Sequence, residues 1–121
     1  MTDYTIRESM KKVDTFFRDR KVGTIAMITM RGLLAAHEDE AIKNWMGSID
    51  LTIPADAEIL RAGDIAFHSR IRDVENNTFV TEFFKKIVRQ KKNVYLLSDN
   101  QTELDKLKND ILSYEEDVRI V

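Results

Sequence analysis

Apolar positions along the chain follow two alternating periods, and each change of period marks a new element. From Tyr4 to Arg20 the apolar side chains fall at Ile6, Met10, Val13 and Phe16/Phe17, one stripe of an amphipathic helix. The run "VGTIAMIT" follows, short, rich in β-branched residues and bounded by charge, and predicts a buried strand. Helical spacing returns from Arg31 to Met46, with Leu33, Leu34, Ala41, Ile42, Trp45 and Met46 inward. "IDLTI" predicts a second strand, followed by a short helix near Ala55 to Arg61. The stretch from Ala62 to Glu75 carries little pattern.

The second half is clearer. Phe79, Val80, Phe83, Phe84, Ile87 and Val88 recur at one helical face and give the strongest helix signal in the chain. "NVYLLS" predicts a third strand. Leu104, Leu107, Ile111 and Leu112 mark another helix, with Asn100 or Thr102 as its cap. "VRIV" reads as a fourth strand.

Strands separated by helices, without hairpin turn signals, imply βα units on a parallel sheet with right-handed crossovers. The connection from the second strand to the third is long and carries two helices. The expectation is therefore an α/β, Rossmann-like parallel sheet of about four strands, ordered 2-1-3-4, with helices on both faces. That order puts a switch point between the first and third strands, where ligands bind outside the strand carboxyl ends. Thr29, Met30 and Arg31 stand at that address with Ser98, Asp99 and Asn100, and the turn around Asp56 lies close by.

The 121 residues suit one domain, residues 1–121, without internal repeat, low-complexity tract or linker. With 43% hydrophobic and 33% charged residues, one proline and four glycines, the composition favours an ordered, helix-rich globule. Absence of cysteine excludes disulfides and thiolate metal sites. "MTDYTIRESMKK" lacks the apolar core of a signal peptide, and "VGTIAMITM" is too short to span a bilayer, so a cytoplasmic protein without transmembrane segment is expected. A formal charge of −2 gives no global field for nucleic acid.

Asp56 raises the main chemical question. A carboxylate just past a buried strand could deprotonate an acceptor hydroxyl. Asp is also among the preferred N-caps, and a helix follows here. The turn Ser98-Asp99-Asn100 lies where nucleotide-binding folds carry glycine; it has none, and capping is the competing reading. "KKIVRQKK" collects cations that suit a helix C-terminus, or alternatively an acidic lipid or nucleotide. Arg70 or Arg72, in the polar stretch "RIRDVENN", could reach a phosphate, or pair with Asp73 and Glu75. His37 and His68 are isolated, so neither a metal site nor any other cofactor is expected.

The order of elements and several phrases resemble the WecG/TagA/CpsF glycosyltransferases of bacterial envelope polymer synthesis. These phrases are "DYTIRESMKKVDTFF", "HEDEAIKNWMGSIDLTIPAD", "RDVENNTFVTEFFKKIVRQKKNVYLLS" and "ELDKLKNDILSYEEDVRIV". Together they run through the whole sequence and correspond to about the first half of such an enzyme. The resemblance implies transfer of an N-acetylmannosamine-type sugar from a UDP donor to an undecaprenyl-diphosphate-linked acceptor, peripherally at the inner membrane face. It implies that Asp56 holds the position of the base, with Ala57 where the family has glycine. Met27-Ile28-Thr29 replaces the family's Thr-x-Asn, Arg72 matches its arginine, and Ser98-Asp99 replaces a Gly-Gly turn. Two expectations follow: a glycosyltransferase-like domain whose activity depends on a second chain, or a non-catalytic binding, regulatory or assembly module. In a sheet ordered 2-1-3-4, Val118–Val121 forms an outer edge, so a homo-oligomer or a partner chain is expected there.

Overall fold

The structure, a computed structural model, describes residues 4–20, 22–63 and 68–121. The chain forms two compact units, Met1–Phe79 and Val80–Val121. The first contains α1 (Ile6–Asp19), β1 (Ile25–Ile28), α2 (Met30–Glu38), α3 (Glu40–Gly47), β2 (Leu51–Pro54), α4 (Ala57–Ala62) and α5 (His68–Glu75). Helix α6 (Thr78–Arg89) starts at its end; β3 (Asn93–Val94), α7 (Gln101–Tyr114) and β4 (Arg119–Ile120) complete the second unit.

Local chemistry sets the first helix. Thr5 and Glu8 form a capping box: the Glu8 backbone N–H donates to Thr5 Oγ1 at 3.1 Å, and the Thr5 N–H donates to Glu8 Oε1 at 3.0 Å. Arg20, in the left-handed region at φ 51°, stops it. Val13 is fully buried. Ser9 is buried as well, and its hydroxyl is satisfied by the Thr5 carbonyl at 3.0 Å. A Cβ on Gly23 would overlap the Phe16 ring, so the close approach of the segment before β1 to α1 requires glycine.

The core of the first unit is built on the β1–β2 pair. These strands are parallel, with Ile25 opposite Leu51 and Ile28 opposite Pro54. Leu51, Ile53, Ile59 and Leu60 are buried along β2 and α4, with Ile28 from β1, Ala36 from α2 and Phe79 from α6. In the second unit β3 and β4 pair in parallel, Asn93 opposite Arg119 and Val94 opposite Ile120, and Ile87, Ile111 and Val118 are buried. Phe83 and Phe84 meet edge to face, with centroids 5.3 Å apart.

The four-stranded Rossmann-like sheet expected from the sequence is not what forms. Among the described residues the protein is mostly helical, and its strands make two separate two-stranded parallel sheets, β1-β2 and β3-β4. Apolar runs report burial and period but not the pairing partner, and the first strand pairs with the second alone among the described residues. "NVYLLS" contributes only Asn93 and Val94 to a ladder, while Tyr95 and Leu97 are 79% and 87% exposed. The switch point expected between the first and third strands therefore does not form among the described residues.

Two helices also depart from expectation. The single helix read over Arg31–Met46 breaks at Asp39, whose Oδ1 accepts from the Ala41 N–H at 2.9 Å to start α3. The unpatterned stretch before Glu75 holds α5, while the part of it at residues 64–67 lies outside the described residues. No helix among the described residues is long and apolar enough to cross a membrane.

Candidate functional site

Parallel pairing with a constant offset brings equivalent ends of β1 and β2 together. The ladder runs one step past the strands, since the Ala55 N–H donates to the Ile28 carbonyl at 2.7 Å. Both chains then turn into helices at the same carboxyl rim. There Asp56 Oδ2 accepts from the Met30 N–H at 2.8 Å. Met30 is the first residue of α2, while Thr29 Oγ1 accepts from the Gly32 N–H at 3.0 Å. Two side chains thus satisfy two of the orphan donors at one helix start.

Asp56 is therefore a cap, but of the wrong helix for a sequence reader. It precedes α4 and makes no capping bond there. Its other oxygen, Oδ1, takes part in no hydrogen bond among the described residues. The half-buried carboxylate opens onto a polar cleft of about 530 Å³, shared with Glu58, Arg61, Glu75 and Asn77. Arg61 and Glu75 face each other at 3.5 Å, both side chains 57% exposed. Three carboxylates against one paired arginine make the cleft net negative. Such a lining accepts hydrogen bonds from hydroxyls and opposes a diphosphate.

A second aspartate closes the opposite end of the pair. Asp50 Oδ2 accepts from the Thr24 N–H at 2.9 Å and from its hydroxyl at 3.0 Å, and the Asp50 N–H donates back to that hydroxyl at 3.0 Å. Hydrogen bonds from the Thr24 backbone first, and from its side chain second, hold the Asp50 carboxyl below the usual aspartate range. A depressed folded-state pKa stabilises the fold above the unfolded value of about 4, and that contribution disappears as pH falls through the folded value. Asp50→Asn is thus expected to melt below the wild type at pH 7 and to narrow the gap under acid. Thermal melts from pH 7 to pH 2.5 test this; a gap independent of pH refutes it.

The remaining candidates divide between the units. Thr29 and Arg31 sit at the start of α2, and Thr29 joins Asp56 at the same rim. Arg31 is exposed. Arg72 occupies the last turn of α5, exposed, and does not line the Asp56 cleft. Arg70 is buried and lines a small cavity with Ile53, Pro54 and Phe79. Ser98, Asp99 and Asn100 belong to the second unit; there Asn100 Oδ1 accepts from the Glu103 N–H at 2.8 Å and caps α7. Among the described residues no cluster of acidic or histidine side chains is arranged to hold a metal ion.

Sequence reasoning missed the pairing of Thr24 with Asp50 and of Asp56 with Met30. A signal existed: both lie 26 residues apart, the offset of the strand register itself. Comparison with protein families, curated proteins and solved structures finds no match to any of them.

Proposed function

We propose that this chain is a glycosyltransferase-like domain of the WecG/TagA/CpsF kind, holding the acceptor side of a transfer site at the cytoplasmic membrane face. The observation that carries this reading is the Asp56 carboxylate, fixed through Oδ2 by the Met30 N–H, in a residue that lines a polar cleft. A base must be positioned before it can act, and one backbone hydrogen bond supplies that orientation. The negative cleft suits the hydroxyls of a neutral sugar and opposes the phosphates of a UDP donor. Cations for the donor then come from outside the cleft, and in this reading a second chain supplies them. The contact we propose lies at Val118–Val121, where among the described residues β4 pairs with β3 alone and Val121 is 63% exposed. Sedimentation equilibrium at high concentration is expected to show association that Ile120→Pro weakens.

The same hydrogen bond favours one other reading. If docking α2 is the whole task of Asp56, the domain is a non-catalytic binding or assembly module.

Titration by nuclear magnetic resonance separates the two. An N-acetylhexosamine glycoside is expected to shift the backbone amides of Ala55, Asp56, Ala57 and Asn77, and UDP is expected to leave them unmoved. A ligand at about a hundred times its dissociation constant adds roughly 2.7 kcal/mol, a rise of several degrees in melting temperature. No such rise is expected with UDP or UDP-N-acetylmannosamine for the chain alone. A glycoside that moves none of these amides sinks the acceptor-site reading and leaves the assembly module.

A further inference from the structure

A second recess lies on the first unit, lined by none of the residues of the Asp56 cleft. Strand pleating separates neighbours on β2: Thr52 lines this recess, and the adjacent Leu51 and Ile53 do not. Helices α2 and α3 pack as a pair beside it and form its wall. The volume is about 530 Å³, inside the span of roughly 300–1,000 Å³ that suits small ligands.

Its chemistry is two-sided. Leu33, Ala36, Met46 and Ile49 supply an apolar wall. His37, in the last turn of α2, and Lys43, on α3, supply exposed nitrogen donors. Neither side chain makes a hydrogen bond or ion pair with any described residue. Asp50 also borders the recess, but its charge is engaged by the two donors of Thr24. The lining therefore offers, next to apolar surface, a lysine that makes no ion pair with any described residue. Glu38, Asp39 and Glu40 form the corner between α2 and α3 without lining the recess. Their field opposes anions in proportion to charge, so a dianion is disfavoured more than a monoanion.

We infer that this recess binds a small amphipathic monoanion, a carboxylate on a short apolar body, with Lys43 and His37 on the carboxylate and the α2–α3 wall on the apolar part. The inference is independent of glycosyl transfer, because it uses no residue of the Asp56 cleft.

The test uses the full chain with octanoate, octyl phosphate and octanol as probes, followed by amide shifts. Octanoate is expected to move Ala36, Met46, Ile49 and Thr52, and to leave Ala55–Ala57 in place. Octanol, lacking the charge, is expected to bind at least about fivefold more weakly, the scale of one partly solvated ion pair. Octyl phosphate is expected to bind no tighter than octanoate. Lys43→Gln alters an exposed side chain, so folding is preserved; it is expected to weaken octanoate about fivefold and leave octanol unchanged. Equal affinities for octanoate and octanol, insensitivity to Lys43→Gln, tighter binding of octyl phosphate, or shifts confined to other surfaces would overturn the proposal.

Discussion

Leu51→Ala is expected to destabilise the first unit by about 3 kcal/mol, within the range of roughly 2–5 kcal/mol for removing a buried leucine. The reasons lie in the setting of this side chain. Leu51 is 1% exposed, among the largest side chains fully removed from water. It opens β2 directly after Asp50, opposite Ile25, and its N–H donates to the Thr24 carbonyl at 3.0 Å. Thr24 and Asp50 tie the two strands at this end, and the Asp56–Met30 bond ties them at the other. A pair held at both ends cannot close readily over a void, which places the cost above the minimum. For a unit of this size the melting temperature falls by about 12–24 °C. Amide exchange within β1 and β2 reads the effect in the first unit specifically. Leu34→Ala is the control: that side chain is 57% exposed, and its loss is expected to change stability by less than about 0.5 kcal/mol. A Leu51→Ala variant that melts with the control refutes this account of the core.

The contrast between Leu51 and Leu34 also shows where sequence patterning succeeds. Period locates α1 and α6, which have long stripes, and period with a polar cap locates α7. Patterning failed where one short side chain outweighed the stripe. Asp39 divides a continuous helical pattern by offering its carboxylate to Ala41. Helix α5, "HSRIRDVE", is too polar to register as an amphipathic stripe, and among its described side chains the buried one is Arg70. Strand partners were the deepest loss. "VGTIAMIT", "IDLTI", "NVYLLS" and "VRIV" look alike as apolar runs, and nothing in the runs indicates that they form two sheets. The site was half legible for the same reason. Asp56 was identifiable as a carboxylate beyond a strand, but the identity of the helix it caps depends on strand register, a long-range property.

That long-range bond makes Asp56→Asn and Asp56→Ala the most informative pair of substitutions. Asparagine retains a side-chain carbonyl that can accept from the Met30 N–H, whereas alanine leaves that donor at the α2 start without its partner. Alanine is therefore expected to cost about 1–2 kcal/mol, and asparagine less than half of that. Chemistry sorts the two differently. An amide cannot take a proton from an acceptor hydroxyl at neutral pH, so a base role predicts that both variants lose transfer by about 10²–10⁴-fold. Transfer measured in membranes supplied with UDP-N-acetylmannosamine and lipid-linked acceptor, alongside thermal melts of each variant, separates positioning from catalysis. Stable asparagine with lost transfer assigns the proton to Asp56. Stable asparagine with full transfer removes Asp56 from the chemistry and leaves it as the carboxylate that docks α2 onto the end of β2. The physical basis of that division is simple: a backbone N–H needs only an oxygen, whereas a hydroxyl proton needs a charge.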